Sequence, residues 1–146
     1  MKNLSVVLGS FVFLSACSQE PVSIPDRTSH PCGDSPNCVS TLEHREDFLI
    51  QPFTLASGDI TIDQIESVAL SMPGSLTAVK QGAYIRIEYT SDFFGFVDDL
   101  EIKIEGDTLV VRSESRTGHS DFGINRERTD ELRQLLLNHK LIKQNE

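Results

Sequence analysis

Long apolar runs are missing from this 146-residue sequence outside its first fourteen positions. The run there, Leu4 to Leu14, is too short to cross a bilayer as a permanent helix. Internal repeats and low-complexity stretches are also missing, which excludes a solenoid or a collagen-like chain. Basic residues are few: 13 Lys and Arg stand against 22 Asp and Glu, a formal net charge of −9. Such a surface repels phosphate backbones and disfavours nucleic-acid binding. It disfavours electrostatic adhesion to anionic lipid as well. Cysteines number three, and no pair of them makes the Cys-x-x-Cys pattern of a redox-active dithiol. His30 and His44 add no recognisable metal-ligand spacing. No metal and no cofactor is therefore expected. A Gly-x-Ser-x-Gly nucleophile elbow is likewise absent.

What is present begins at the N-terminus. Met1-Lys2-Asn3 carries one positive charge, Leu4 to Leu14 is apolar, and Leu14-Ser15-Ala16-Cys17 follows. That layout is a secretion signal. Its last four residues are similar to the lipobox of bacterial lipoproteins: one aliphatic residue, two small ones, then Cys. The resemblance implies cleavage before Cys17, a diacylglycerol thioether on its sulfur and an acyl group such as palmitate on its new amine. Each buried CH₂ contributes roughly 0.8 kcal/mol, and two or more chains make a stable anchor. The alternative is an ordinary secretory signal with a chance cysteine. Ser18, where Asp marks retention in the inner membrane of many Gram-negative bacteria, points to the outer membrane, facing the periplasm.

Lys2 is the only charge among residues 1–16, so the mature chain holds 12 Lys and Arg against 22 Asp and Glu, a net of −10. Residues 17–30 are polar, carry prolines and read as a flexible tether. Residues 31–140 read as one domain, of a size to bury one modest core, and 141–146 as a tail. With Cys17 lipidated, Cys32 and Cys38 are an even pair in an oxidising compartment and are expected to form a disulfide.

The fold class predicted is α+β. Phe48 to Leu55 alternates loosely and suits an edge strand, given Pro52. Thr61-Ile62-Asp63-Gln64 is a capping box, so a helix starts at Ile62 with the stripe Ile62, Ile65, Val68, Ala69 and Met72. Pro73-Gly74 stops it. Two hairpins follow. Ser75–Lys80 and Ala83–Thr90 flank Gln81-Gly82, setting Leu76 against Ile87 and Ala78 against Ile85. Val97–Glu105 and Thr108–Thr117 flank Gly106-Asp107, setting Glu101 against Arg112 and Asp99 against Glu114. The second pair is repulsive unless Arg112 or Arg116 lies between. An amphipathic helix ends the chain, with Asn125 as N-cap, Leu132, Leu135, Leu136 and His139 as its buried stripe, and Lys140 and Lys143 near its C-terminal end. The result is a sheet of four to five antiparallel strands with a helix before and a helix after, packed on one face.

One polar stretch stands out. It comprises Asp98 and Asp99, then Arg112, Ser113, Glu114, Ser115 and Arg116, then the run from Gly118 to Arg128 with Asp121, Asn125 and Arg126. Cys32-Gly33-Asp34-Ser35-Pro36-Asn37-Cys38-Val39-Ser40, Gly95-Phe96-Val97-Asp98-Asp99 and the run from Arg112 to Arg128 together resemble the DUF1499 family, over about residues 30 to 138. The family's function is unknown, so the resemblance implies a shared fold and no activity. Glu114 departs from the family pattern, which often has a small residue there.

Two readings of the arginines compete. Arg forks suit carboxylates and phosphates alike. Asp98, Asp99, Asp121 and Glu101 would make an internal network, with Ser113 and Ser115 satisfying leftover donors. Alternatively Arg112, Arg116 and Arg126 would line a pocket for a small anion, aided by the last helix's N-terminus. Catalysis has thinner support: His119, Ser120 and Asp121 are the three triad types, but neighbours on a loop rarely converge. Asp98 and Asp99 alternate to opposite sheet faces, which separates them as an acid–base pair. Phe93-Phe94-Gly95-Phe96 reads as core plus bend, or as a protein-binding patch if exposed. The function predicted is a non-catalytic binding or scaffold module of the cell envelope with an envelope protein as partner. A small-anion binder is the alternative, and a hydrolase the third.

Overall fold

The computed structural model describes residues 24–91 and 95–144. The signal segment, Cys17, Ser18, the first part of the predicted tether, and Phe93 and Phe94 lie outside the described residues. Eight elements follow one another: β1 (Cys38–Ser40), β2 (Phe53–Thr54), α1 (Ile62–Ala69), β3 (Ser75–Gln81), β4 (Tyr84–Thr90), β5 (Val97–Glu105), β6 (Thr108–Ser115) and α2 (Ile124–Asn138). They build one six-stranded antiparallel sheet in the order β1-β6-β5-β4-β3, with β2 also paired to β6. Both helices pack on the same sheet face. The α+β architecture is thus as expected, enlarged by β1, which the sequence reading left out, and with β2 shorter than the strand expected over 48–55. No helix among the described residues is long and apolar enough to cross a membrane.

Local signals explain the elements. Thr61 caps α1: its hydroxyl accepts from the Gln64 amide while the Gln64 side chain accepts from the Thr61 amide. The stripe Ile62, Ile65, Val68 and Ala69 is buried, and Met72 joins it just past the helix. Gly106 has φ +63 while Asp107 does not, as a Gly-first hairpin turn requires. Gly74 (φ +74) would place a Cβ 2.9 Å from the Thr90 carbonyl oxygen, so only glycine lets β3 start beside the end of β4.

The core lies between the sheet and the two helices. Ile85 and Ile87 of β4, Leu100 and Ile102 of β5, Leu109 and Val111 of β6, and Leu132 and Leu136 of α2 are almost wholly excluded from solvent. Each such side chain contributes roughly 1.5–3 kcal/mol on burial.

The β5–β6 register is the one expected, with Glu101 opposite Arg112 and Asp99 opposite Glu114. The β3–β4 register is not. Gln81 pairs with Tyr84, so the turn is Gly82-Ala83 and not Gln81-Gly82, and a bulge between Thr77 and Val79 shifts the pairing again by one, which leaves Leu76 opposite Glu88 and Thr77 opposite Ile87; Leu76 is 66% exposed. Alternation in an edge strand is too weakly apolar to resist an extra residue. His139 is exposed rather than part of the buried stripe. Helix α2 stops at Asn138, so Lys140 and Lys143 lie beyond it. The expected C-terminal tail is docked instead: Leu141 and Ile142 are buried, Ile142 bridges Leu55, and the Lys143 amide donates to the Thr54 carbonyl. Those two apolar side chains close the core's open end, which leaving a free tail would expose.

Candidate functional site

Strand alternation divides the polar stretch into two networks on opposite faces of the sheet. Asp98, Ser113 and Ser115 point toward the helices. Asp99, Glu101, Arg112 and Glu114 point away from them. Because Asp98 and Asp99 are neighbours on β5, the sheet itself separates them, as alternation dictates.

On the helix side the centre is Asn125, which is fully buried. Its Oδ1 accepts from the Ser113 hydroxyl and from Arg128 Nη1, both at 2.6 Å. Its Nδ2 donates to Ser115 Oγ at 2.9 Å and Asp121 Oδ2 at 2.7 Å, with the Asn37 carbonyl at 3.0 Å. Arg128 reaches on to Asp98 at 2.7 Å and lies over the Tyr89 ring. Asn125 is therefore not the N-cap. Helix α2 starts after Gly123, and Asp121 accepts from the Gly123 and Asn125 amides at 2.9 Å each. A carboxylate serves the helix's positive end better than an amide does, which frees Asn125 to turn inward.

On the other face a charged lattice spreads over β4, β5 and β6. Arg116 grips Asp99 with two nitrogens, at 3.0 and 2.7 Å, and also meets Glu88. Arg112 meets Glu114 at 2.8 Å and lies 3.7 Å from Glu101. Arg86 lies 3.6 Å from Asp99 and 3.7 Å from Glu88. The Tyr84 hydroxyl donates to Glu101 at 2.8 Å. Burial, reinforced by that carboxylate, pushes the Tyr84 phenol above its ordinary value. Asp99, with Glu88, likewise raises the Arg116 guanidinium.

The cation between Asp99 and Glu114 is one the sequence reading missed. It is Arg27, from the stretch read as a flexible tether. Its Nη1 meets Glu114 at 2.7 Å, its Nη2 meets Asp99 at 3.1 Å, and its Nε and backbone amide meet Glu101 at 3.1 and 3.0 Å. From residue 24 onward, then, the segment lies against the sheet; the like charges of β5 and β6 require a cation there. That facing pair was the available signal, although nothing local says which arginine answers it.

Arg126 belongs to neither network. It donates to the Leu49 and Asp47 carbonyls and lines a cleft of about 220 Å³ with Arg133, Glu46 and Asp130. Arg112, Arg116 and Arg126 thus share no pocket: two sit on the helix-free face among carboxylates, the third on the flank of α2. His119, Ser120 and Asp121 do not converge either. His119 Nδ1 lies 3.4 Å from Ser35 Oγ, Ser120 Oγ accepts from the Phe122 amide, and Asp121 is engaged at α2. No group of His, Cys, Asp or Glu among the described residues is placed to hold a metal.

Cys32 and Cys38 form the expected disulfide, with Cα atoms 5.7 Å apart. Beside it Glu43 accepts from the Cys32 amide and from Arg45, which also binds the Cys32 carbonyl. The Arg45 hydrogen bond, joined by the His44 amide, holds the Glu43 carboxyl down to about 2.

An antiparallel sheet covered on one face by two helices and on the other by a charge lattice defines a small α+β domain whose signature residues bond largely with one another. The chain belongs to the DUF1499 family of proteins of unknown function, whose model matches residues 29–136. Curated proteins and solved structures give no match to it.

Proposed function

We propose that this domain is a lipid-anchored, non-catalytic interaction module of the cell envelope, held through Cys17 at the outer membrane and facing the periplasm. The observation that carries the non-catalytic reading is the engagement of the polar cluster. Arg112, Arg116 and Arg128 each meet carboxylates of the same chain, and Ser113, Ser115, Asp121 and Asn125 bond one another. Residues so bound are spent on holding the domain together. The Leu14-Ser15-Ala16-Cys17 motif supports the anchor. The test is metabolic labelling with an alkyne fatty acid, followed by crosslinking in intact cells. Label should enter the wild-type chain and be absent from Cys17→Ala, and the same envelope protein should be recovered in repeated crosslinks. Absence of label in the wild type refutes the anchor; repeated recovery of nothing refutes the partner.

A second reading, a small-anion binder, is favoured by the cleft at Arg126 and Arg133. Both guanidinium groups donate to backbone carbonyls there, which leaves their charge to be balanced by Glu46, Asp130 or a bound anion. Titration with phosphate or acetate while following the Arg126 and Arg133 side-chain resonances decides it. Unmoved resonances at millimolar anion end this reading.

A further inference from the structure

We propose that the helix-free face of the sheet is a binding site for an extended, arginine-bearing peptide segment, filled in this chain by a detachable strap, residues 24–28, through Arg27. The site deepens the reading of the domain as an interaction module. It depends on the lipid anchor only for its consequence at the membrane.

The cradle is built for a guanidinium. Three carboxylates on two strands take three different nitrogens of Arg27, and the side chains of Asp99 and Glu101 are wholly shielded from solvent. The Tyr84 hydroxyl orients Glu101. Charge selects the ligand. Arg27, Arg86, Arg112 and Arg116 balance Glu88, Asp99, Glu101 and Glu114. Without Arg27 the face holds one more carboxylate than cations, in a setting where unpaired charge is costly. A planar fork of donors fits three separated carboxylates better than the compact ammonium of lysine. The face also offers donors for a bound backbone. Arg86 Nη1 already binds the Ile24 carbonyl at 2.7 Å, and the buried Arg112 Nε makes no hydrogen bond.

The strap is separable because it lies outside the core, although Thr28 is buried and Ile24 half-buried. None of residues 24–31 belongs to the hydrophobic core. Among the described residues, the polar contacts that join it to the sheet besides those of Arg27 are the Ile24 carbonyl on Arg86 and Asp26 on Lys103. A segment outside the core and joined to the sheet by polar contacts can open without unpacking the core. At the membrane the consequence is reach. From Cys17 to Ile24 the chain can extend at most about 25 Å, but from Cys17 to Cys32 about 50 Å, at roughly 3.5 Å per residue. Closing the strap keeps the domain near its anchor. A partner's arginine segment that takes the cradle would release it.

Native-state hydrogen exchange on the full chain is the first measurement. The Arg27 and Thr28 amides should exchange through a local opening, at least about tenfold faster than those of Leu100 and Ile102. In Arg27→Ala, protection of β5 should be kept. A blocked peptide with the sequence of residues 22–30 should then bind this variant saturably, while the same peptide with Ala in place of Arg should not. Exchange of Arg27 and Thr28 only upon global unfolding overturns the proposal, and so does a folded Arg27→Ala that ignores the peptide. Should the variant fail to fold, the wild-type exchange pattern decides by itself. A final arm places the protein on phosphatidylcholine vesicles and measures the distance from a label on the domain to the bilayer. If the strap opens as expected but Arg27→Ala leaves that distance unchanged, the anchored reading fails and the peptide site stands.

Discussion

On the helix side of the sheet, a single buried amide, Asn125, gathers two serines, an aspartate and an arginine, with Arg128–Asp98 as its ion pair. On the opposite side, reached by moving one residue along the same strands, four arginines and four carboxylates interlock. The difference follows from what covers each face. Beneath α2 water is excluded, and neutral amides and hydroxyls, once bonded, are cheaper to bury than ions. The outer face is covered by a polar strap instead of a helix, and its shielded charges, Asp99 and Glu101 among them, are tolerated because cations and carboxylates alternate.

The comparison can be broken from either side. The largest effect expected is from Glu101→Ala, which takes one of three carboxylates from Arg27 and the acceptor from the Tyr84 hydroxyl on the outer face; breaking a buried pair costs about 3–5 kcal/mol. Urea denaturation measures it, and a loss below 1 kcal/mol would show that the outer lattice is not structural. Asn125→Ala should follow, at roughly 2–3 kcal/mol, because Ser113, Ser115 and Arg128 lose a shared partner. If it exceeds Glu101→Ala by the same assay, the ranking of the two faces is reversed.

Two further changes probe the junction between the strap and β1. Replacing Cys32 and Cys38 together with serine should cost roughly 2 kcal/mol, since the loop they close is short; thermal unfolding with and without the pair checks this. Glu43→Gln should act through pH. In the folded protein this carboxyl sits at about 2, below its ordinary 4.5. Its contribution is therefore present above pH 4.5 and is lost as pH falls through 2. Melting temperatures between pH 5 and 2 should fall more steeply for wild type than for Glu43→Gln, and parallel curves would remove Glu43 from the acid response.

Local chemistry made much of this legible. The capping box at Thr61, the Gly106-Asp107 turn and the pairing of Glu101 with Arg112 each depend on residues within a few positions of one another or on one tight turn. The β3–β4 register escaped because the turn falls one residue later than Gln81-Gly82 and because the bulge at Ala78 has no marker in a weakly apolar strand. Asn125 was misplaced because Asp121, four residues earlier, takes the first amides of α2. Of the three arginines grouped by proximity in sequence, alternation kept Arg112 and Arg116 on one face among carboxylates, and α2 carried Arg126 to its flank.

By itself, then, the sequence determined the elements other than β1, the α+β class, the disulfide and the sorting of Asp98 from Asp99. These follow from periodicities of 2 and 3.6 residues and from turn chemistry, all of which act over short stretches. Only the tertiary structure decided what covers the outer face. Arg27 lies 72 to 87 residues from the carboxylates that hold it. Any arginine has the charge and the fork for that position, and it is the path of the folded backbone that brings this one within reach.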